Sequence, residues 1–207
     1  MEKARKNPER TCRKIPMTGG PCSGKSTLLK LIQEQFSRSQ VRLVPEMAAM
    51  FLNAGFPKPS ESGNAALALR KQKCLQSGIY SAQVAYEGAV EIDADENSVP
   101  LVVLDRGTLD NPAYCEQSPE EFFTGRGSSL EKEIERYDTV IHLHTVKDPG
   151  LYMDDGTRFE THERALEIDE RILASWSAHP NRIIIPFAWN VEEKVAAVMR
   201  VIRQELL

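Results

Sequence analysis

A glycine-rich segment near the start of the 207-residue chain restricts the folds that the chain can adopt. The run Gly19-Gly-Pro-Cys-Ser-Gly-Lys-Ser-Thr27 fits the pattern G-x-x-x-x-G-K-[ST], and leucines in helical spacing follow it. Glycines allow backbone N–H groups to approach phosphate oxygens, and the N-terminus of the following helix adds partial positive charge. The pattern predicts a phosphate-binding loop made of Gly19, Gly20, Pro21, Cys22, Ser23, Gly24, Lys25, Ser26 and Thr27.

Three side chains of this loop have a predicted role. Lys25 can reach the β- and γ-phosphates of a nucleotide as a compact charge. The hydroxyl of Ser26 is a ligand for Mg²⁺ that bridges phosphate oxygens. Cys22 is either a thiol activated at a helix N-terminus or a small residue that fits a tight turn, and we favour the turn.

Short apolar runs alternate with longer amphipathic stretches along the chain. The runs are continuous, as in strands buried on both faces, and lie at residues 13–17, 41–44, 101–104, 139–145 and 182–185. Helical patterns cover residues 64–92, 160–178 and 191–206, with Asn190 as the N-cap of the last. This alternation predicts an α/β domain with a parallel sheet and helices on both faces. Pro16 conflicts with it, because proline removes a backbone donor from a strand that ought to be central.

Carboxylates follow two of the predicted strands. Asp105 ends the run Leu101-Val-Val-Leu, a Walker B arrangement that could hold Mg²⁺, and Arg106 could pair with phosphate. Glu46 follows the strand at 41–44 and could accept a hydroxyl proton. Alternatively, Asp105 and Arg106 form a structural ion pair and Glu46 caps the next helix.

The segment from about residue 148 to 164 is a candidate lid, because a loop with Pro149 and Gly150 leads into an arginine-bearing helix. Arg158 is the preferred lid arginine, since Arg164 and Arg171 have glutamates at helical spacing.

His142 and His144 share one face of a strand and could bind a metal, but no third ligand is evident. We therefore interpret them as core or cleft residues.

The charge distribution and the cysteine content exclude several classes of protein. The formal charge is −4, yet residues 1–14 hold six Lys or Arg against two Glu, which predicts a flexible basic arm over residues 1–12 on an acidic domain of residues 13–207. An acidic body argues against nucleic acid as the main ligand.

Four irregularly spaced cysteines fit neither a zinc site nor a disulfide framework. With no secretory or membrane-spanning segment evident, we expect a cytoplasmic protein.

Several motifs together resemble a known family. They are the phosphate loop, Leu43-Val-Pro-Glu46, Leu104-Asp-Arg-Gly107, Arg158-Phe-Glu160 and Trp176-Ser-Ala-His-Pro180. They resemble the AAA-type P-loop family that includes the kinase domain of NadR-type ribosylnicotinamide kinases. The resemblance implies a five-stranded parallel sheet as in nucleoside and nucleotide kinases, with ATP as donor, Mg²⁺ as cofactor and a small hydroxylated acceptor. It matches Lys25 and Ser26 to the phosphates and metal, Asp105 and Arg106 to the acidic–arginine pair, and Arg158 to the lid.

Three functions fit these features. The first is a small-molecule kinase that binds a nucleotide and a nucleoside-like or other hydroxylated acceptor. The second is a nucleotide-dependent switch that recruits a protein partner through the basic arm, although no guanine-reading Asn-Lys-x-Asp is present. The third is a plain NTPase. Acceptor-dependent turnover distinguishes the first from the other two.

Overall fold

The computed structural model describes residues 11–115, 117–151, 161–186 and 190–207. Within these ranges five strands alternate with seven α-helices and three short 3-10 helices. In chain order the strands and α-helices are β1 (Arg13–Thr18), α1 (Lys25–Gln35), β2 (Val41–Val44), α2 (Met47–Asn53), α3 (Ala65–Glu96), β3 (Leu101–Asp105), α4 (Pro119–Thr124), α5 (Leu130–Ile134), β4 (Val140–Leu143), α6 (His162–Ser175), β5 (Arg182–Ile185) and α7 (Val191–Glu205). The 3-10 helices span Pro59–Glu61, Thr108–Tyr114 and Pro149–Leu151.

The strands form one parallel sheet in the order β2-β3-β1-β4-β5. One face packs against α1 and α7 through residues such as Ile15, Leu28 and Val198. The other face packs against α2, α3 and α6 through residues such as Val102 and Ile172. The predicted three-layer α/β/α fold with a five-stranded parallel sheet is confirmed, and β1 and β3 lie inside the sheet with a neighbour on either side.

Pro16 lies in β1, between β3 and β4, and hydrogen-bond alternation explains how it is tolerated. The N–H of Arg13 donates to Pro100 and the carbonyl of Met17 accepts from Arg106, so the odd-numbered residues of β1 face β3. The missing donor of Pro16 therefore faces β4. The pairing between β1 and β4 begins only at Met17 and Ile141, one residue further on. Pro16 therefore lies between the hydrogen bond from the Asp138 N–H to the Lys14 carbonyl oxygen and the first paired residues of β1 and β4.

Helix boundaries follow their capping residues. Asn64, Thr161 and Asn190 each accept a hydrogen bond from the backbone N–H three residues later, at the starts of α3, α6 and α7. The predicted N-cap at Asn190 is thus confirmed, with a complete capping box to Glu193. Helix α3 continues to Glu96, four residues beyond the predicted end.

Only the last two residues of the predicted basic arm, Thr11 and Cys12, belong to the described ranges. Both donate their backbone N–H to Asp95, and the side chain of Cys12 is buried. Cys12 is therefore packed against the domain, whereas Thr11 is exposed. No helix among the described residues has the length and apolar character needed to cross a membrane.

Candidate nucleotide-binding site

The predicted phosphate loop connects β1 to α1 and lies at the carboxyl end of the sheet. Gly19 has φ 129° and Gly24 has φ 93°, conformations that a residue with a Cβ rarely adopts. At Gly19 a Cβ would lie 2.0 Å from the carbonyl oxygen of Leu143 in β4, so close packing also requires glycine. Cys22 has φ 60° and is half-buried, which agrees with its place in a tight turn.

Lys25 is the first residue of α1, and its ammonium group is folded onto the loop. Its Nζ donates to the carbonyl oxygens of Gly19 and Gly20 and to Ser23 Oγ, each at 2.9 Å. Burial lowers the pKa of Lys25 to about 8, and the positive charge of Arg106 contributes, while Asp105 and Glu46 oppose the shift. Lys25 therefore lies against the backbone of the loop, in a buried position that disfavours its positive charge.

Asp105 ends β3 and is 8% exposed. Burial raises its pKa to about 6, and the negative charge of Glu46 adds to the rise, while Lys25 and Arg106 oppose it. Its Oδ1 is buried and makes no hydrogen bond to any described residue. The exposed hydroxyl of Ser26 and the carboxyl of Asp105 line the same cleft. Two oxygen donors, one of them anionic and unpartnered, fit the ligand preference of Mg²⁺.

Glu46 and Arg106 meet across the cleft. Glu46 is the N-cap residue of α2 but makes no capping hydrogen bond with its side chain. Its Oε1 instead accepts from Arg106 Nε at 2.6 Å. Arg106 also donates through Nη1 to the carbonyl oxygen of Gly19 at 3.0 Å, so it connects β3 to the phosphate loop. The backbone of Arg106 has φ 74°, a left-handed conformation that these contacts hold in place.

Asp110 forms an ionic cluster with Glu46, Asp105 and Arg106 at the cleft, and it was not predicted from the sequence. Its Oδ1 accepts from Thr18 Oγ1 at 2.5 Å and from Trp176 Nε1 at 2.7 Å. Its Oδ2 lies 3.4 Å from Arg106 Nη1. Burial raises the pKa of Asp110, while Arg106 opposes that shift. The available signal was its place four residues after Arg106, the spacing of a helical ion pair.

The cleft beside the loop has a volume of about 400 Å³. Beyond the ionic cluster its wall carries the buried amides of Gln76, Gln83 and Asn111, together with Tyr114. The amide of Gln83 donates to the carbonyl oxygen of Arg106 at 3.2 Å, and that of Asn111 donates to Thr108 at 3.0 Å. These groups form a polar wall that could recognise a hydrogen-bonding ligand. These residues could not be predicted from the sequence, because single polar residues on α3 and on the 3-10 helix Thr108–Tyr114 form no motif.

The structure brings most of the predicted site residues together. Lys25, Ser26, Glu46, Asp105 and Arg106 all line the cleft, as do the loop residues from Pro21 to Thr27. Arg158 and most of the predicted lid lie outside the described residues.

The other two lid arginines make local contacts. Arg164 pairs with Glu167 at 2.8 Å within α6. Arg171 donates to the carbonyl oxygens of Pro112 and Cys115. Arg164 therefore pairs as its helical spacing suggested, whereas Arg171 binds backbone oxygens instead of a glutamate.

The loop is supported from the β4 side as well. The N–H of Gly20 donates to Asp169 Oδ1 at 2.7 Å, and Thr145 Oγ1 donates to the carbonyl oxygen of Pro21 at 2.9 Å. A Cβ on Gly20 would lie 2.3 Å from Thr145 Oγ1. Helix α6 and the end of β4 therefore fix the loop backbone from behind.

Comparison with known proteins agrees with this geometry. The family model described as an AAA domain matches residues 14–194. The solved structure of thymidylate kinase from Candida albicans is similar over 95% of this chain and 94% of that chain, with a TM-score of 0.62 and 11% sequence identity. At that identity the likeness shows the fold alone. The comparison with curated proteins finds no match.

Proposed function

We propose that this chain, which belongs to the AAA domain family, is a kinase that transfers the γ-phosphoryl group of ATP to a hydroxyl group of a small acceptor. The observation that carries the proposal is the position of Glu46. Its carboxylate lines the same cleft as the phosphate loop and is bonded to Arg106 instead of capping α2. A carboxylate at this position can accept the proton of an attacking hydroxyl, and acceptor-dependent turnover shows whether that hydroxyl belongs to an acceptor or to water.

Each group of the cleft has a separate role in the proposed phosphoryl transfer. Lys25, the loop N–H groups and the N-terminus of α1 bind the phosphates. Ser26 and Asp105 would hold Mg²⁺, which supplies positive charge that neutralises the phosphate oxygens. Glu46 accepts the proton of the acceptor hydroxyl as that oxygen attacks the γ-phosphorus, the bond from the γ-phosphorus to the β,γ-bridging oxygen breaks, and ADP leaves. Arg106 holds Glu46 in position and places a guanidinium beside the loop.

The polar wall of Gln76, Gln83 and Asn111 lies in the same cleft and supports a planar, hydrogen-bonding acceptor. Buried amides reject a ligand that leaves them unpaired, because each unsatisfied group costs about 1–3 kcal/mol. Nucleosides meet this requirement, since their bases offer both donors and acceptors and their ribose offers hydroxyl groups. The resemblance to NadR-type kinases makes ribosylnicotinamide the first acceptor to test.

The test is ADP production from Mg·ATP with and without a panel of nucleosides. We expect at least one nucleoside to stimulate turnover. Glu46→Gln should lower that turnover by about 10²–10⁴-fold and leave ATP affinity nearly unchanged. Glu34→Gln removes the same charge from an exposed position on α1 and serves as the matched control. ATP binding with no acceptor-dependent turnover would refute the kinase and favour the nucleotide-dependent switch.

A further inference from the structure

A second cluster of metal-ligating groups lies behind the phosphate loop. His142 of β4, His144 just after β4 and Asp169 of α6 offer ligand atoms that all lie within 4.8 Å of one another. None of the three is among the residues that line the nucleotide cleft. The two histidines project from the same face of β4, and α6 covers that face. Asp169 is a third candidate ligand that the two-residue histidine spacing could not reveal.

His142 is the group that the fold leaves unexplained. It is 1% exposed, and neither of its ring nitrogens makes a hydrogen bond to a described residue. Its Nε2 lies 3.4 Å from Asp169 Oδ1. A buried polar group without a partner costs free energy, so each such group in a folded protein requires an explanation. A bound cation at this point would give the ring a partner.

Asp169 supplies the negative charge of this cluster. Its Oδ1 accepts from the Gly20 N–H and its Oδ2 contacts His144 Nδ1, each at 2.7 Å. Lys194 of α7 also interacts electrostatically with this carboxylate. A cation bound here would therefore face one carboxylate and two imidazoles.

The three ligand atoms lie within 4.8 Å of one another, so the cluster has to contract slightly to form a coordination shell. Ligand atoms bound about 2.0–2.1 Å from zinc at tetrahedral angles stand about 3.3 Å apart. The 3.4 Å between His142 Nε2 and Asp169 Oδ1 meets this spacing. The 2.7 Å between His144 Nδ1 and Asp169 Oδ2 is a hydrogen bond that has to open by about 0.6 Å, and His144 is only partly buried.

We propose that His142, His144 and Asp169 form a binding site for a divalent transition metal of the Zn²⁺ type. Two imidazoles and one carboxylate are the donor set that such ions prefer, whereas Mg²⁺ prefers oxygen ligands only. Asp169 also accepts the N–H of Gly20 at 2.7 Å, so the metal and the phosphate loop share one carboxylate. The site is distinct from the magnesium ligands Ser26 and Asp105, and its existence does not depend on the proposed kinase reaction.

The experiment is a titration of the purified full chain with Co²⁺, which reports its ligands through visible absorption. Excess Mg²⁺ is present throughout so that the nucleotide cleft does not contribute. We expect one equivalent of Co²⁺ to bind with the bands of nitrogen and oxygen ligands, and Zn²⁺ to displace it. His144→Ala and Asp169→Asn should each weaken binding by more than about 100-fold, because losing a direct ligand exceeds the 10–100-fold cost of losing an outer partner.

The matched control is His162→Ala. His162 is a partly buried histidine at the start of α6 that contacts the carbonyl oxygen of Val146 and lies outside the cluster. This variant should bind Co²⁺ like the wild type. His144 is 26% exposed, so its replacement leaves the core intact, and thermal unfolding verifies that the variant is folded.

Three results would overturn the proposal. They are the absence of Co²⁺ binding by the wild type, unchanged binding by folded His144→Ala, and an intense sulfur-to-cobalt charge-transfer band. The first would leave the 3.4 Å contact between His142 and Asp169 as a feature of the core alone, and the last would place the ion on the cysteines.

Discussion

Replacing Asp105 with asparagine should make the nucleotide-free protein more stable at neutral pH. Burial, with the charge of Glu46, raises the pKa of Asp105 from 3.8 to about 6. The native state therefore binds this proton more tightly than the unfolded state does. For a carboxyl group with a raised native pKa, stability is greatest below the unfolded pKa and falls as the pH rises through the native one. Asparagine has nearly the same shape and never carries the charge.

The size of the effect follows from the two pKa values. Proton linkage gives a stabilisation by Asp105→Asn of less than about 1 kcal/mol at pH 4, about 2 kcal/mol at pH 5 and about 3 kcal/mol at pH 7. For a chain of this length, 3 kcal/mol corresponds to a rise in melting temperature of about 6–12 °C. The same substitution should weaken Mg²⁺-dependent nucleotide binding, because a neutral amide is a poorer ligand for a hard cation.

The assay is urea unfolding of the nucleotide-free wild type and variant at several pH values between 4 and 8. The difference in unfolding free energy should grow with pH and level off above about pH 7. Glu34→Gln, which removes an exposed carboxylate from α1, should show no comparable growth. A variant that is less stable than wild type at pH 7, or a difference independent of pH, would refute the reasoning about buried charge.

Three further predictions concern the same cleft. Lys25 has a pKa of about 8, so nucleotide affinity measured without Mg²⁺ should fall about tenfold per pH unit above that value, and an affinity that stays flat to pH 10 would contradict this. Glu46→Gln should shift the Asp105-dependent loss of stability to lower pH in the urea series, because a charge that raises the pKa of Asp105 is gone, and an unmoved midpoint would count against it. Gly19→Ala should destabilise by at least about 3 kcal/mol in thermal unfolding, since its Cβ meets Leu143 and its φ is positive. Gly88→Ala, inside α3 with open space around it, should stabilise by about 0.5–1 kcal/mol, so similar effects at the two glycines would refute the steric argument.

Much of the fold could be predicted because buried parallel strands leave a clear pattern. The run Leu101–Leu104 is apolar at every position, and in the structure both faces of β3 are covered. The phosphate loop was equally evident, since its glycines are required by backbone conformation and close packing. The conflict between Pro16 and a central strand could not be resolved from the sequence, because the sequence does not show where the pairing of β1 with β4 begins.

The parts of the site that sequence analysis missed depend on contacts between distant segments. Asp169 lies 27 residues after His142, on a different element, and no local spacing connects the two. A signal was nevertheless present, because Asp169 follows Ile168 directly and falls within the buried side of α6. An acidic residue among buried positions requires a partner. Its partners, Gly20 and His144, could be identified only from the folded chain.

The three hydrogen bonds that Lys25 makes to its own loop affect how nucleotide affinity arises. A phosphate that approaches the ammonium group competes with two carbonyl oxygens and a hydroxyl. Binding is therefore an exchange of partners, and only the difference between the old and new bonds contributes to affinity. Such an exchange favours ligands with high negative charge, because a phosphate dianion outcompetes neutral oxygens where a neutral ligand does not. The conformation of Lys25 in the nucleotide-free protein therefore already favours a phosphate chain over a neutral ligand.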